Sequence, residues 1–233
     1  MNAVITGASK GIGRAIALKL AKEGYNLALC ARNLSDLQTL KLEVQKKHPK
    51  VQVYIEAVDC AQLPQVQDFA QHAHAQLGHV EVLINNVGQY TPGTILEEAD
   101  DALIRQMETN VYPAHALSKF FGKEMRKLKS GYIINICSIA SLNVVKEAAS
   151  YSVTKVALLG LTTILREELK SSGVKVSAIL PGATYTSSWE GTELAPDKFI
   201  QPEDVAQAVW TCLTLSPGAT LDQLILKPIS EAF

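Results

Sequence analysis

The chain has 233 residues, 47% of them hydrophobic, and carries a formal net charge of -1 with a pI of about 6.5. This length and apolar content suffice for one substantial core, whereas the near-neutral charge offers no basic field that would attract nucleic acid or an anionic membrane. Because no apolar run approaches the roughly 20 residues that span a bilayer, and the first predicted strand starts at Asn2 where a signal peptide would stand, we expect a cytoplasmic protein.

Apolar runs alternate with helical patterns from one end of the chain to the other. Their Val, Ile, Leu and Ala content is typical of parallel strands covered by helices on both faces. No linker or repeat interrupts the alternation, so we predict an α/β fold: a single doubly wound domain over 1–233 with a seven-stranded parallel sheet. The predicted strands lie near residues 2–6, 26–31, 51–58, 80–85, 131–137, 174–180 and 222–226, and the predicted helices near 12–23, 34–47, 63–77, 99–129, 149–171 and 202–215. Glycines that we expect to cap four helices follow as Gly24, Gly78, Gly131 and Gly173.

The first predicted strand leads into a glycine-rich turn and then an amphipathic helix. Glycines permit a tight turn there and let a dinucleotide pyrophosphate approach the N–H groups of the helix N-terminus. We therefore expect a dinucleotide at this loop, and a cofactor half of the chain over about 1–90. The loop is Thr6-Gly7-Ala8-Ser9-Lys10-Gly11-Ile12-Gly13, with Gly7, Ser9, Lys10, Gly11, Ile12 and Gly13 as candidate contacts.

The second predicted strand ends in Leu29-Cys30-Ala31-Arg32-Asn33, without an acid. An NAD enzyme offers a carboxylate to the ribose 2'-hydroxyl at this place, and that carboxylate would repel a 2'-phosphate. Arg32 can form charge-assisted bonds to the phosphate, and Lys10 adds a second cation. The alternative is that both are ordinary surface cations. The charge pattern favours NADP as the coenzyme.

Four polar residues in the second half, about 91–233, predict a proton relay for carbonyl reduction. Tyr151 and Lys155 stand four apart on a predicted helix, so the ammonium stabilises the phenolate of a tyrosine that acts as general acid and base. Ser138 would donate a hydrogen bond to the carbonyl oxygen as charge develops. Asn110 would hold a water that links Lys155 to solvent. Taken singly, Ser138 also fits a capping hydroxyl and Asn110 a locally satisfied helix residue.

The combined motifs closely resemble the short-chain dehydrogenase/reductase family over nearly the whole chain, and the family has a Rossmann-like fold. The matching residues are Thr6 to Gly13, Asn85-Asn86-Val87-Gly88, Asn110, Ser138, Tyr151 with Lys155, and Pro181-Gly182 with Thr186. The resemblance implies that Asp59 bonds the adenine, that Asn85 supports the central strand and the ribose, and that Tyr151 and Lys155 also contact the nicotinamide ribose. It further implies cofactor contacts from Asn86, Gly88, Pro181, Gly182, Thr184 and Thr186. Val87 and Thr184 depart from the alanine and the aliphatic residue that are usual at these places, which puts the pocket shape in doubt rather than the activity.

The sequence indicates less about the substrate pocket than about the cofactor site. The connection from Pro181 to Pro202 is shorter than the substrate loops of many members of this family, which suggests a small lid and an accessible pocket. Five apolar or aromatic residues lie near the expected mouth and are our substrate candidates, with packing under a short loop as the alternative: Tyr90, Val144, Val145, Tyr185 and Trp189.

Cysteines and histidines do not predict a metal site. Cys30, Cys60, Cys137 and Cys212 occur without a C-x-x-C pair and fall in predicted core elements, so we expect buried, reduced thiols. His72 and His74 are two apart on a predicted helix and therefore point to different faces. We expect hydride transfer without a metal.

The sequence thus predicts an NADP-dependent oxidoreductase that interconverts a ketone or aldehyde with an alcohol. The resemblance also implies a homodimer or homotetramer, because the equivalent helices of the family pair across a two-fold axis. The predicted helices over 99–129 and 149–171 carry apolar residues that we expect at this interface: Leu117, Phe120, Phe121, Leu158, Leu161 and Leu165. One alternative is a 3-oxoacyl-(acyl carrier protein) reductase. Acids near the mouth, Glu190, Glu193 and Asp197, disfavour an acidic carrier, and the carboxyl terminus lacks the glycine-rich ending of those reductases. The other alternative is a dinucleotide-sensing or scaffold protein without chemistry, which would tend to lose Tyr151 or Lys155.

Overall fold

The computed structural model describes residues 1–143 and 145–229. Its strands and helices alternate along the chain close to the predicted bounds. The strands are β1 (Asn2–Thr6), β2 (Asn26–Ala31), β3 (Val53–Ala57), β4 (Val82–Asn85), β5 (Tyr132–Ile136), β6 (Lys175–Pro181) and β7 (Gln223–Leu226). The helices are α1 (Gly11–Lys22), α2 (Leu34–Lys47), α3 (Leu63–Leu77), α4 (Ala102–Asn110), α5 (Tyr112–Leu128), α6 (Ala149–Lys170) and α7 (Pro202–Thr214), with short 3₁₀ turns at Ile139–Ser141, Ser187–Trp189 and Pro196–Lys198.

All seven strands form one parallel sheet in the order β3-β2-β1-β4-β5-β6-β7, which confirms the predicted fold class. Val4 at the centre of β1 pairs with Ala28 of β2 on one side and with Leu83 of β4 on the other. Chain order reverses between β1 and β4, so the loops that follow these two strands diverge and leave a crevice at their carboxyl ends. Every predicted site motif reaches this edge of the sheet.

Two hydrophobic layers cover the two faces of the sheet. One layer joins Ile5 and Leu29 to apolar residues of α1, α2 and α7. The other joins Val4 and Leu83 to apolar residues of α3 and α5. Because successive side chains of a strand point to opposite faces, neighbours such as Val4 and Ile5 serve different layers. This explains why the strands are continuously apolar rather than alternating.

The predicted helix over 99–129 is wrong in one respect, because the chain forms two helices there. α4 ends at Asn110, Val111 takes φ -122°, and Pro113 lies in the first turn of α5. Proline has no N–H to donate to the carbonyl four residues before it and its ring crowds that carbonyl, so the helix is interrupted just ahead of it. The interruption frees the end of α4, where Asn110 lies.

The helix caps follow the prediction at three of four places. Gly24, Gly78 and Gly173 have positive φ angles of 83°, 72° and 72°. After α5 the left-handed residue is instead Lys129, with φ 54°. Gly131 has a different reason to be glycine, since a Cβ there would lie 2.5 Å from Cγ of Met125.

All four cysteines are free and buried, as predicted. Burial raises the pKa of the Cys137 thiol to about 11 and that of Cys30 well above its ordinary value, so these thiols stay protonated. Over residues 1–143 and 145–229, no three His, Cys, Asp or Glu side chains gather into a metal-binding group. In the same part of the chain, no helix combines the length and the apolar character that crossing a membrane requires.

Candidate active site

The glycine-rich loop after β1 is fastened to the loop after β4. Thr6 Oγ1 accepts hydrogen bonds from the backbone N–H groups of Asn86 and Val87, each at 3.0 Å. Asn86 Nδ2 donates in return to the carbonyls of Thr6 at 2.9 Å and Gly7 at 3.1 Å. Since β1 and β4 flank the point where the sheet reverses, these bonds fix the floor of the crevice.

The helix that follows this loop begins without a cap of its own. Lys10 at its N-cap makes no side-chain cap bond, and the first turn of α1 contains no acid. Gly13 approaches so closely that a Cβ there would lie 2.2 Å from the Gly7 carbonyl oxygen. Backbone N–H groups at an uncapped helix start attract an anion through the helix dipole. The loop therefore has the geometry of a phosphate cradle.

Charge at the end of β2 is more complex than the sequence suggested. The Arg32 side chain is exposed and makes no ion pair within residues 1–143 and 145–229. Lys10 Nζ, however, lies 3.4 Å from a carboxylate oxygen of Asp36 in the first turn of α2. Solvent-exposed pairs of this kind contribute about 0–1 kcal/mol, so an incoming phosphate can compete for Lys10. The contact of Asp36 with Lys10 was not predicted, because the charge argument concerned only the residues at the end of β2.

Asp59 shapes the turn after β3. Its Oδ1 accepts from the N–H of Ala61 at 3.1 Å, and its own N–H donates to Gln65 Oε1 at 2.9 Å. The carboxylate is exposed at the same edge of the sheet as Arg32.

Lys155 is held inside the protein beside Tyr151. Its side chain lies on α6, is 4% exposed, and donates from Nζ to the Ile136 carbonyl at 3.1 Å. The same nitrogen lies 5.6 Å from the centroid of the Tyr151 ring. A Cβ on Gly88 would stand 3.2 Å from this ammonium, so glycine leaves it the room it occupies. The buried Lys155 side chain thus places its ammonium group next to the Tyr151 ring.

Ser138 follows β5 and caps the short turn Ile139–Ser141. Its Oγ accepts from the Ala140 N–H at 3.1 Å, which is the capping role weighed in the sequence. A hydroxyl that accepts through one lone pair still has its hydrogen to donate. Ser141 Oγ donates to the Lys155 carbonyl at 2.9 Å and so ties this turn to α6. Ser138 and the Tyr151–Lys155 pair are therefore parts of one assembly.

The Asn110 side chain makes structural hydrogen bonds that the sequence did not predict. Its Oδ1 accepts from the Gln89 N–H at 2.7 Å, while its Nδ2 donates to the Gln89 carbonyl at 3.1 Å and to Thr154 Oγ1 at 3.0 Å. Both amide hydrogens are thus used, and the side chain fastens the loop after β4 to α6. The second lone pair of Oδ1 is left to hold a water, the role proposed for this residue.

A buried amide network lies below the site, and of its members only Asn85 was predicted from the sequence to have a supporting role. Asn85 Nδ2 donates to Asn135 Oδ1 at 2.8 Å and to Ser118 Oγ at 3.1 Å, and Asn135 Nδ2 donates to Thr162 Oγ1 at 2.8 Å. These bonds connect β4, β5, α5 and α6 directly behind the relay. The available signal was a single asparagine, Asn135, inside the otherwise apolar strand β5.

The segment after β6 comes next to the glycine-rich loop. Gly182 N–H donates to the Leu226 carbonyl at 2.9 Å, and Thr184 Oγ1 donates back to the Gly182 carbonyl at 2.9 Å. A Cβ on Gly11 would lie 2.9 Å from Cγ2 of Thr186. Residues 181–186 therefore border the crevice opposite α1.

The substrate candidates fall in different places. Tyr90 is half exposed and meets Tyr151 edge to face, with the ring centroids 5.2 Å apart. Tyr185 and Trp189 both pack against Phe199, at 5.5 and 5.0 Å between ring centroids. Tyr185 also lines a cavity of about 330 Å³ beside Gly11. Val145 is partly exposed before α6, and Val144 lies outside the described residues.

Comparison with known proteins gives consistent matches over the chain. A model of the family described as "short chain dehydrogenase" matches residues 1–196. An uncharacterized oxidoreductase of Staphylococcus aureus is 30% identical over 227 residues, which are 97% of this chain and 96% of that protein.

Two solved structures show the same architecture with a coenzyme bound. An alcohol dehydrogenase from the archaeon Thermococcus sibiricus, complexed with 5-hydroxy-NADP, is 27% identical with a TM-score of 0.89, over 98% of this chain and 96% of that one. L-sorbose reductase from Gluconobacter frateurii, complexed with NADPH and L-sorbose, is 29% identical with a TM-score of 0.89, over 97% of this chain and 95% of that one.

Proposed function

The chain belongs to the short-chain dehydrogenase family, and from this premise we propose that it is an NADP-dependent oxidoreductase that interconverts a ketone or aldehyde with an alcohol. The observation that carries the proposal is the buried Lys155 ammonium, 5.6 Å from the Tyr151 ring and connected through Ser141 to the turn that Ser138 begins. Two relatives of the same architecture were solved with an NADP derivative or NADPH bound.

The residues at the crevice suit a dinucleotide phosphate. The backbone N–H groups at the uncapped start of α1 would bind the pyrophosphate. Gly13 has no side chain, so the glycine-rich loop can pack closely against this helix start. Arg32, with Lys10 released from Asp36, would bind the 2'-phosphate through charge-assisted bonds. Asp59 would reach the adenine. The remaining proposed contacts are Gly7, Ser9, Gly11, Ile12, Asn86, Gly88, Pro181, Gly182, Thr184 and Thr186.

The proposed mechanism assigns the proton chemistry to the protein. When bound, the coenzyme supplies the hydride. Ser138 donates its free hydroxyl hydrogen to the carbonyl oxygen and stabilises the developing charge. Tyr151 gives its phenolic proton to that oxygen, and Lys155 stabilises the phenolate left behind. Asn110 would hold the water that returns a proton to this pair.

The decisive experiment is NADPH consumption with a panel of diketones, aldehydes and 3-oxo esters. We expect turnover with at least one of these carbonyl classes. A chain that binds NADPH tightly but reduces none of them would instead support the dinucleotide-sensing alternative. Exclusive use of 3-oxoacyl thioesters would support the acyl carrier reductase, which the exposed acids Glu190, Glu193 and Asp197 disfavour because an acyl carrier is itself acidic.

We further propose that the protein is a homodimer or homotetramer, on different residues from those the sequence suggested. Leu117, Phe121 and Leu158 are each 1% exposed and belong to the core of the chain itself, so they cannot form an interface. The outer faces of α4 and α6 do carry exposed apolar side chains, a surface suited to a second copy: Leu103, Ile104, Val153, Val156 and Ile164.

Sedimentation at micromolar concentration should therefore give the mass of two or four chains. Val156→Asp should shift the mass toward the monomer, because a carboxylate buried in an apolar interface loses its hydration. Leu42→Asp, at another exposed apolar position, on α2, serves as the control and should keep the wild-type mass. A monomeric wild-type protein would refute the oligomer.

The proposed chemistry needs no metal, since Tyr151 and Ser138 supply the polarisation of the carbonyl that a zinc ion would otherwise give. We therefore expect EDTA to leave the initial rate of NADPH oxidation unchanged. A rate that is lost to the chelator and restored by added zinc would contradict this expectation.

A further inference from the structure

The helix that carries Tyr151 starts without a cap from its own sequence. Ala148 is the N-cap residue of α6 and makes no side-chain bond, and the first turn contains no acid. Helix starts normally have a side-chain acceptor at this place, and a nearby carboxylate stabilises the positive end of the helix dipole. Something outside α6 must supply these interactions if the first turn is to be well fixed.

Glu98, in the loop between β4 and α4, supplies the missing carboxylate. Its Oε1 accepts a hydrogen bond from Ser150 Oγ. Ser150 is 2% exposed and immediately precedes Tyr151 in the chain. The carboxylate therefore reaches the first turn of α6 one residue away from the proposed general acid.

Backbone bonds hold the same loop against α6. Gly93 N–H donates to the Glu147 carbonyl at 2.7 Å, and its own carbonyl accepts from Ala149 N–H at 3.0 Å. Glu98 is brought to this place by a bond from its N–H to the Thr94 carbonyl at 2.9 Å. A Cβ on Gly93, whose φ is 155°, would lie 3.1 Å from Cβ of Glu98, so glycine permits the close fit.

The other end of the loop is fixed by the active site itself. Asn110 holds both backbone groups of Gln89, and the next residue, Tyr90, packs edge to face on Tyr151. Residues 89–98 thus form a strap, anchored to α4 at one end and to the start of α6 at the other.

We propose that Glu98 and Ser150 are positioning residues, which set the distance of the Tyr151 phenol from the Lys155 ammonium by fixing the first turn of α6. Lys155 is anchored separately, through Nζ to the Ile136 carbonyl. A movement of the first turn therefore changes the Tyr151–Lys155 geometry instead of carrying both groups along. This inference rests on the proposed function for its catalytic consequence and on the contacts above for its structural one.

The ionisable groups beside the Tyr151 ring are Lys155 on α6 and Tyr90 in the strap. The Glu98 carboxylate is turned to Ser150 Oγ. Lys146 and Glu147 in the turn before α6 are exposed, so solvent screens them. Alcohol oxidation needs a base, so its rate should rise with pH. A loosened first turn should weaken the effect of Lys155 on Tyr151, and this rise should then occur at higher pH.

The test uses three substitutions in the full chain. Ser150→Ala removes the donor and Glu98→Ala removes the acceptor, and each should lower kcat about tenfold, because small displacements of reacting groups are costly. Glu98→Gln retains an oxygen acceptor and should recover most of kcat. The dissociation constant of NADPH should stay unchanged in all three. In Ser150→Ala, the pH of half-maximal kcat/KM for alcohol oxidation should rise.

Two matched controls stand beside these variants. Ser152→Ala removes a buried hydroxyl of the same helix that donates to the carbonyl of the N-cap residue Ala148. Glu97→Ala removes an exposed acid of the strap that accepts from Thr94 Oγ1. Both should keep wild-type kcat and the wild-type pH profile. Loss of stability alone would lower the melting temperature of Ser150→Ala and leave kcat and the pH profile at 25 °C unmoved, which would overturn the inference.

Hydrogen exchange separates this inference from the proposed function. Amides of residues 93–98 and 149–152 should exchange faster in Ser150→Ala than in Ser152→Ala, whether or not a substrate is found. A wild-type protein inactive on the whole carbonyl panel would refute the proposed function while leaving the strap contacts measurable. Equal exchange in the two serine variants would refute the strap itself.

Discussion

Tyr151→Phe should lower kcat by about 10²- to 10⁴-fold, the usual contribution of a positioned general acid. Phenylalanine keeps the ring that packs on Tyr90 and faces Lys155, and removes only the hydroxyl. No other group near Lys155 is proposed to give the proton, so turnover should nearly vanish. The glycine loop and Arg32 are untouched, so a fluorescence titration should show that NADPH still binds.

The control for this result is Tyr54→Phe, which removes a phenol that donates to Glu56 at 2.6 Å on the outer strand β3. It should retain wild-type kcat. Lys155→Ala should damage both turnover and coenzyme binding, since one ammonium is proposed to serve the phenol and the nicotinamide ribose. Wild-type kcat in Tyr151→Phe, on its best substrate, would show that the proton relay is wrongly assigned.

The wild-type enzyme should prefer NADPH to NADH by about 10- to 100-fold in kcat/KM. A hydrogen bond to a charged group contributes about 1.5–3 kcal/mol, and about 1.4 kcal/mol corresponds to a tenfold change. Replacing Ala31 with Asp and Arg32 with Ser should weaken the use of NADPH by at least that factor, because it removes the cation and places an anion against the 2'-phosphate. NADH should be used equally well or better.

Arg105→Ser is the matched control, since it removes an exposed arginine that pairs with Asp101 far along the chain from β2. It should leave the coenzyme preference unchanged. Equal use of NADPH and NADH by the wild-type enzyme, or an unaltered preference in the double variant, would show that Arg32 is an ordinary surface cation.

The sequence predicted the fold well because its strongest signals are local. Each strand is a short apolar run, and a run such as Ala3-Val4-Ile5 suits a strand covered on both faces. The break at Val111 was missed because the apolar pattern continues across it, although Pro113 was a sufficient signal for an interruption.

Site residues could be placed at the correct edge of the sheet, but their partners could not. That Asn110 binds Gln89 depends on how the end of α4 meets the loop after β4. That Asp36 reaches Lys10 depends on the direction in which α2 leaves β2. Contacts between elements distant in sequence are set by packing, and no local pattern reports them.

The position of the reversal between β1 and β4 bears on how such a protein can diversify. Arg32 follows β2 on one side of the central pair, whereas Ser138 follows β5 on the other side. Substitutions at distant sites that share no partner usually have additive effects on the free energy. On the proposed roles of Arg32 and Ser138, substitutions on one flank of the sheet should therefore change the coenzyme preference, and substitutions on the other flank the choice of carbonyl substrate, without affecting each other. A protein that keeps the proton relay unchanged can therefore acquire a new coenzyme preference or a new carbonyl substrate separately.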